Sequence, residues 1–401
     1  MTPTTNIQPL DSEDYDYIFT GTGCAALSLL MRLISSGMLI GKKVLLIDKS
    51  TKTENDRTWC FWEKGRGYFE PVVCHSWSRL NIYGPGYSET HTLDPYRYKM
   101  IRGIDFYNHC LPIITADAAI TIIHEEVLSV ANKNAKATVK TASGEFTATY
   151  IFNSILFHKP GPGPRIHSLL QHFKGYLIKT ATPSFDPTVG TLMDFRIDQQ
   201  NGTSFVYVLP LSTSEALVEY TLFSPHLLEQ SQYDLALQDY ISQMLKINQH
   251  KILSTEFGVI PMTNFRFPTH QGNVIYIGTA GGQTKASTGY TFSFIQKQAA
   301  SIARQLAVGR FPIVPPGFAD KKFRWYDSIL LDVLANHKLP GSFIFTELFR
   351  KNRVTDVFRF LDNESTLWQD LKVIKVLPTG IFARAAVRQA TKPPGSAVPH
   401  T

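Results

Sequence analysis

The sequence contains few cysteines and no arrangement of them suited to a metal. Only four occur in 401 residues: Cys24, Cys60, Cys74 and Cys110. Their spacing matches no metal-binding pattern, and scattered thiols of this kind are typical of reduced cytosolic proteins. We therefore expect four free thiols and no metal site.

Long apolar runs and targeting signals are also lacking. The longest apolar run, from Ile18 to Met31, is interrupted by glycine and threonine, whereas a membrane span needs about 20 apolar residues. The N-terminus is polar and acidic, without the basic start of a secretory signal. These features predict a cytoplasmic protein that can contact a membrane but does not cross it.

The chain has only a modest excess of positive charge. The formal net charge is +7, from 40 basic and 33 acidic residues, and no basic arm is present. We therefore expect no nucleic-acid partner. A hydrophobic fraction of 43% over 401 residues predicts two or three lobes with a sizeable core, and aromatic residues at 12% suit a large apolar binding surface.

Residues 15–48 carry the strongest motif of the chain. Two strand-like runs flank a glycine turn and a helical stretch, the order of a dinucleotide-binding βαβ unit. Gly21 permits the tight turn, Gly23 lets backbone N–H groups reach a pyrophosphate, and small Ala26 lets helix and strand pack closely. Asp48 ends the second strand, where it can bind a ribose hydroxyl. The alternative is a glycine-rich helix start in another kind of α/β protein.

A second nucleotide-type signal lies late in the chain. A strand at 273–277 ends in a small-residue turn at 278–282, and a long helix is predicted from Tyr290 to Val308. In flavoproteins that wrap FAD between an early βαβ unit and a late strand–loop–helix, such a turn lines the ribityl chain and the flavin, at the positive end of the helix. An ordinary βα turn is the alternative.

The remaining segments predict the lobes. A Pro/Gly linker at 159–164 precedes β-rich runs at 173–222 that are typical of an antiparallel sheet. We predict an α/β fold, in which a Rossmann-like FAD-binding domain accompanies an antiparallel β-sheet substrate lobe and a helical C-terminal part. The predicted divisions are residues 1–150 plus 252–310 for FAD, 165–250 for the substrate lobe, 318–389 for the helices, and 390–401 as a disordered tail.

Taken together, these motifs resemble the lycopene β-cyclase family over nearly the whole chain. The matching stretches are residues 21–26, 56–62, 98–102, 218–221, 260–263, 278–282 and 287–290. The resemblance implies FAD in its reduced form, with NAD(P)H as the reductant. It implies a non-redox, acid-catalysed closure of the ψ-ends of lycopene to β-ionone rings, giving γ-carotene and β-carotene. It also implies an acyclic carotenoid substrate and a peripheral position on the inner face of the cell membrane, which we assign to the C-terminal helices and the basic residues at 350–353.

The family's acid/base motif places its first carboxylate at Glu219, within an apolar strand. Cyclisation needs a carboxylic acid kept neutral by an apolar pocket, and aromatic faces that stabilise a cation. The second acidic position of the motif is Tyr220, which puts any mechanism with two adjacent carboxylates in doubt. Other departures from related flavoproteins are Asn153, Thr279 and Ala286. The alternatives are that Glu219 is a solvated strand carboxylate, or that reduced flavin handles the proton.

Motifs and resemblance together define a set of expected site residues. Cofactor binding is expected of Gly21, Gly23, Ala26, Asp48, Lys49, Arg57, Arg102, Gly278, Thr279, Ala280, Gly281, Thr288, Gly289 and Tyr290. The substrate pocket is expected at Trp59, Phe61, Trp62 and Tyr220, although the tryptophan-rich stretch is also typical of residues that cap a core.

Two other functions remain open at this point. The first is an FAD-dependent redox enzyme, either a monooxygenase or a polyprenyl reductase that acts on an isoprenoid. The Asp-Gly fingerprint of such hydroxylases is missing between Ile151 and Gly175, which counts against it. The second is a flavin-free carotenoid carrier, which leaves the paired nucleotide motifs unexplained.

Overall fold

The computed structural model describes residues 14–133, 136–157, 161, 163 and 165–391. The strands are β1 (Asp14–Thr20), β2 (Val44–Ile47), β3 (Thr58–Lys64), β4 (His75–Trp77), β5 (Arg79–Gly84), β6 (Tyr87–Thr92), β7 (Tyr96–Arg102), β8 (Ile120–Ile123), β9 (Ser129–Lys133), β10 (Lys136–Lys140), β11 (Glu145–Asn153), β12 (Ser168–Thr180), β13 (Val189–Asp194), β14 (Thr203–Pro210), β15 (Glu215–Ser224), β16 (His250–Thr263), β17 (His270–Gln271) and β18 (Val274–Tyr276). The α-helices are α1 (Cys24–Ser35), α2 (Gly103–Thr115), α3 (Gln230–Asp239), α4 (Phe292–Ala307), α5 (Phe318–Ala335), α6 (Gly341–Lys351), α7 (Val354–Leu361), α8 (Leu367–Ile374) and α9 (Thr379–Thr391).

The two nucleotide-type motifs meet in one sheet. Its strands follow the order β17-β18-β11-β1-β2-β8, and β1 pairs in parallel with β2 and β11. The late strand β18 joins by pairing in parallel with β11. Helix α1 packs against α4, so the helices that follow the two glycine turns share one apolar layer. This arrangement confirms the predicted Rossmann-like core.

A second sheet holds the antiparallel strands in the order β16-β12-β15-β14-β13-β5-β6. The predicted division at residue 252 is wrong for this sheet, because β16 pairs with β12 from His250 to Thr263. Strands β5 and β6 also belong to it, since β5 pairs in parallel with β13. The sheet therefore extends beyond the predicted span 165–250 in both directions.

The two faces of this antiparallel sheet have different neighbours. One face packs under α3, in a core that includes Val206, Val218, Tyr220 and Tyr233. The opposite face looks towards the glycine turns, and further along it packs against the C-terminal helices. Because side chains alternate along each strand, neighbouring residues in sequence lie on different faces.

The C-terminal part is helical from α5 to α9, which confirms the predicted helical region. Its apolar side chains join those of the antiparallel sheet, and Phe345 stacks on Phe195 at 6.2 Å between ring centroids. Within the described ranges, no helix is both long and apolar enough to cross a bilayer. The predictions for the end of the tail, at 392–401, lie outside the described residues, as do most of those for the linker at 159–164.

Two short elements complete the fold. Strand β8 pairs with β2, whereas the next strand, β9, pairs with β10. Helix α3 is followed by a short π-helical turn, Tyr240–Met244.

Candidate active site

A cavity of about 450 Å³ separates the glycine turns from the antiparallel sheet. From the Rossmann-like side, Gly23, Gly278 and Thr279 line it. From the sheet, its wall carries the side chains of β12, β14, β15 and β16 that point away from α3: Gln171, Phe173, Tyr207, Leu209, Leu217, Glu219, Glu256 and Ile260. The cavity therefore joins the two glycine turns to an apolar wall that contains two carboxyl groups.

The first glycine turn has one crowded and one open position. Gly21 has a positive φ of +87°, and a Cβ there would lie 2.4 Å from Ser154 Oγ, so the turn requires glycine. At Gly23 no atom lies within 4 Å of the place that a Cβ would take. Since Gly23 lines the cavity and precedes α1, the open space beside it gives a ligand access to the helix N-terminus.

Asp48 lies at the end of β2, beside this turn. Its carboxylate accepts hydrogen bonds from the backbone N–H of Thr22 (2.6 Å), the Thr22 hydroxyl (2.7 Å) and the Ser50 N–H (2.8 Å). Burial opposes ionisation, but these hydrogen bonds outweigh it and the pKa of Asp48 is lowered. The group is therefore a fixed acceptor at the edge of the turn.

The late turn lies close to α1, and two buried polar atoms of the cavity wall lack hydrogen-bond partners among the described residues. Gly278 has a φ of +60°, and a Cβ there would lie 2.8 Å from Ala25 Cβ, so glycine lets this turn approach α1. Thr288 Oγ1 and Gln171 Oε1 are buried at the cavity wall with no hydrogen-bond partner among the described residues. Buried polar atoms are nearly always satisfied, so these two indicate a polar ligand in the cavity.

Glu219 and Glu256, which we call the carboxyl pair, face each other across one glycine. On β12, Gly175 pairs with Glu219 of β15 on one side and with Glu256 of β16 on the other. Directly paired residues point to the same face, and the absent side chain of Gly175 leaves the space between the two glutamates open. The carboxyl groups come within hydrogen-bonding reach of each other.

The surroundings of the carboxyl pair favour a neutral acid. Burial, followed by the charge of Glu256, raises the pKa of Glu219 well above its ordinary value. The Thr221 hydroxyl donates to Glu219 Oε1 (2.8 Å), which opposes this rise, and the Thr58 hydroxyl donates to Glu256 Oε2 (2.6 Å). Glu219 can therefore keep a proton at neutral pH and still open onto the cavity.

Aromatic side chains surround the carboxyl pair. Tyr98 and Tyr290 share a hydrogen bond of 3.1 Å between their hydroxyls, and both line the cavity with Tyr207. Trp59 and Phe292 lie on the same wall, with ring centroids 6.0 Å apart. The cavity thus combines an acid with aromatic faces.

The structure brings only part of the expected site together. Of the predicted residues, the cavity is lined by Gly23, Arg57, Trp59, Glu219, Gly278, Thr279, Thr288, Gly289 and Tyr290. Gly21, Ala26, Ala280 and Gly281 shape the two turns without lining the cavity, and Asp48 lies beside the first turn. Lys49 and Arg102 form ion pairs near the surface, with Glu126 and Asp105 respectively.

Three predicted pocket residues pack elsewhere. Tyr220 follows Glu219 on β15 and so points to the opposite face, into the core under α3. Phe61 stacks on Phe292 in the core behind the cavity (4.4 Å). Trp62 stacks on Phe358 of the helical region (4.4 Å between centroids). Strand alternation turns Tyr220 away from the face of Glu219, and it turns Trp62 away from the face of Trp59. Phe61 shares the face of Trp59 but packs in the core.

Sequence reasoning missed Glu256, Gly175 and Tyr207. All three lie on segments predicted as strands, and Glu256 alternates correctly with Gly258 and Ile260. The register of strand pairing cannot be read from the sequence. Only that pairing shows that Gly175 lies between the two glutamates.

A second cavity, of about 640 Å³, lies within the helical C-terminal part. Its wall is mostly apolar, and it includes Lys285 and Asp327, which are joined by an ion pair of 2.8 Å. Trp325, Trp368 and Leu371 line this cavity and are also exposed on the surface. Segment 285–290 contributes residues to both cavities.

Similarity to known proteins agrees with this architecture. A geranylgeranyl bacteriochlorophyll reductase-like protein from Thermoplasma acidophilum matches with 13% identity and a TM-score of 0.57, over 95% of this chain and 98% of the other. A flavin-dependent brominase matches with 12% identity and a TM-score of 0.59, over 94% and 100%. A probable FAD-dependent monooxygenase from Pseudomonas aeruginosa matches with 13% identity and a TM-score of 0.55, over 83% and 99%.

At these identities the likeness establishes the fold alone, which the chain shares with these three proteins. No curated protein sequence matches the chain. The family model described as "Lycopene cyclase protein" matches residues 16–388, nearly the whole chain. The chain belongs to the lycopene cyclase family.

Proposed function

We propose that this protein is a lycopene β-cyclase, which closes the ψ-ends of an acyclic carotenoid to β-ionone rings without net redox change. The observation that carries the proposal is Glu219, an acid whose pKa is raised by burial, on the wall of a cavity that also holds the two glycine turns. A neutral carboxylic acid in an apolar cavity is the group that protonation of an alkene requires.

The proposed reaction moves one proton in and one proton out. Glu219 donates its proton to the terminal double bond, which leaves a tertiary carbocation. The neighbouring double bond attacks this cation and forms the carbon–carbon bond of the ring. A ring carbon then loses a proton to the carboxylate, which restores the acid and gives an isomer of unchanged mass.

The aromatic wall suits the cationic intermediate. Trp59, Tyr98, Tyr207 and Tyr290 line the cavity around Glu219. An aromatic face stabilises a nearby cation by about 0.5–2 kcal/mol. Burial raises the pKa of Tyr98 and Tyr207 well above the ordinary value, so these phenols stay neutral. They therefore stabilise the cation without capturing it as a phenolate would.

The residues of the two turns fit FAD. Gly23 leaves open space at the start of α1 for a pyrophosphate, and Asp48 offers acceptor oxygens for the ribose. Thr288 Oγ1 is buried without a hydrogen-bond partner among the described residues, so it can bind a polar group of the cofactor. When bound and reduced by NAD(P)H, FAD would supply negative charge that stabilises a cation. A Gly23→Val variant fills the open space, so we expect loss of bound flavin absorbance while circular dichroism shows the fold retained. Full flavin occupancy would contradict this assignment.

The competing function is a redox reaction on an isoprenoid. An assay in deuterated water distinguishes cyclisation from the redox reaction. It combines lycopene, reduced flavin and the protein. Cyclisation gives an isomer with one deuterium for each ring, since the added proton comes from an exchangeable carboxyl group. A product that has gained oxygen, or two hydrogens, would overturn the proposal.

The role of Glu219 is tested in the same assay. Glu219→Gln keeps the shape but has no proton to give, so the rate should fall by about 10²-fold or more with unchanged flavin content. Glu219→Asp should keep part of the activity. If reduced flavin itself handled the proton, Glu219→Gln would stay within a few-fold of the wild type.

We also propose that the protein binds peripherally to a membrane, which would supply its hydrocarbon substrate. The mouth of the second cavity carries exposed Trp368 (82%) and Leu371, with Lys372 and Lys375 on its wall. The basic residues expected to bind the membrane at 350–353 are less available for lipid headgroups, because Arg350 and Lys351 both form ion pairs with Glu347.

A vesicle assay tests this surface. Each lysine near an anionic surface contributes about 1 kcal/mol, and the exposed aromatic side chains add an apolar part. Salt should therefore weaken binding to anionic phospholipid vesicles without abolishing it, and Trp368→Ser should weaken the salt-resistant part. Quantitative recovery of the wild type in the supernatant at low salt would contradict the proposal.

A further inference from the structure

Resting on the cyclase function proposed above, we infer that Glu256 is the second half of the acid site: it shares a single proton with Glu219 and holds that proton ready between turnovers. The sequence motif of the family points to Glu219 and its neighbour in sequence. The geometry points instead to a glutamate two strands away, on β16.

The packing around Gly175 makes this pairing possible. A Cβ at Gly175 would lie 3.0 Å from Glu256 Cγ and 3.1 Å from Leu217 Cδ1. Both distances are tighter than ordinary contacts, so any larger residue would press on Glu256. Glycine in the middle of a long strand is destabilising, and here it leaves room for the carboxyl pair.

The hydrogen bonds around the pair leave one place for a proton. Thr221 donates to Glu219 and Thr58 donates to Glu256 Oε2, while Glu256 Oε1 is buried without a donor. Among the described residues, neither glutamate forms a salt bridge. Two carboxylates at hydrogen-bonding reach cannot both ionise easily, and a proton on Glu219 supplies the missing donor for Glu256.

Other titratable groups that face the pair stay neutral. Cys60 of β3, Tyr207 of β14, and Tyr290 ahead of α4 all feel the charge of Glu219, and burial raises the pKa of each. Burial also raises the pKa of Tyr98 of β7. Arg57 also lines the cavity. The proton exchanged near neutral pH is therefore the one between the two glutamates.

Sharing the proton serves both halves of the reaction. Glu256 as an anion keeps Glu219 protonated until the alkene takes the proton. Both groups are then ionised, and their repulsion makes the pair a better base for the proton that leaves the ring. Atoms and charge balance, because the pair gives one proton and regains one.

The test is the pH dependence of cyclisation by the flavin-loaded enzyme. Glu256→Gln removes the charge that raises the pKa of Glu219, so the basic limb of kcat/KM should move to lower pH by at least about one pH unit, with flavin content unchanged. Glu256→Asp, with a shorter side chain, should shift it less in the same direction. Thr221→Val removes a bond that lowers the same pKa, so it should move the limb to higher pH.

Matched controls separate the possible outcomes. Glu215→Gln changes another glutamate of β15, paired with Lys179 near the surface, and should leave the profile unmoved. A basic limb that stays in place in both Glu256 variants would overturn the inference and leave Glu256 a structural residue. Absence of any ring-closed product with the wild type would instead overturn the proposed function.

Discussion

Two buried acids of the helical region and the carboxyl pair of the cavity wall have opposite kinds of neighbour. In the helical region Asp327 pairs with Lys285 (2.8 Å), and the fully buried Asp370 pairs with Lys322 (2.5 Å). On the cavity wall, the carboxyl pair has two threonine donors and no lysine or arginine partner among the described residues. Each of these two helical acids has a lysine partner, whereas the inference above assigns a shared proton to the carboxyl pair.

The difference shows what a buried acid needs for each role. A cation beside a carboxylate favours its charged form and ends its use as an acid at neutral pH. A second carboxylate does the reverse, because like charges in an apolar site favour the neutral form. Under the proposed function, the same carboxyl chemistry thus links helices in one region and stores a proton in the other.

The largest effect should come from breaking a helical pair. Lys322→Met leaves Asp370 as an uncompensated buried charge, so the free energy of unfolding should fall by about 3–5 kcal/mol, measured by urea denaturation. Lys49→Met is the control, since its partner Glu126 and Lys49 itself are mostly exposed, and it should cost less than about 1 kcal/mol. Equal losses of unfolding free energy in the two variants would contradict the claim that the buried ion pair contributes more than the exposed one.

A smaller effect should appear in the pH dependence of stability. The pKa of Glu219 is raised in the folded protein, so between pH 4.5, its ordinary value, and the raised pKa the folded state binds more protons than the unfolded state. Stability from this group is therefore complete at low pH and is lost as pH rises through that window.

Comparison with Glu219→Gln isolates this contribution. The variant has no such titration, so its stability relative to the wild type should increase as pH rises, as measured by urea denaturation at several pH values. A stability difference that does not change with pH would show that Glu219 titrates normally.

The smallest effect should come from the other face of the same strand. Tyr220 is buried under α3, away from the cavity, so Tyr220→Phe should change turnover by less than a few-fold and leave the pH profile unmoved. Loss of activity as large as that expected for Glu219→Gln would contradict the placement of the two faces.

The fold was largely predictable from local signals. Glycines at 21, 23 and 278 mark turns whose geometry requires or exploits the missing side chain, and the apolar strands around them are buried. The acid Glu219 was found through a motif and its apolar surroundings. These features depend on residues close together in sequence.

The rest of the site depends on strand register. Glu256 is 37 positions after Glu219, and the two meet only because both strands pair with β12 at Gly175. Tyr220 was expected in the pocket because it follows Glu219, but alternation turns it to the other face. A one-residue shift in pairing would reverse both outcomes, so neither follows from the sequence alone.

The most direct test of the shared proton is infrared spectroscopy of the flavin-loaded enzyme at neutral pH. A protonated carboxyl group has its own C=O stretching band, separate from that of carboxylates. We predict that wild-type protein shows such a band, that Glu219→Gln removes it, and that Glu256→Gln makes it disappear at lower pH than in the wild type. A wild-type spectrum in which Glu219→Gln removes no protonated carboxyl signal would contradict the account.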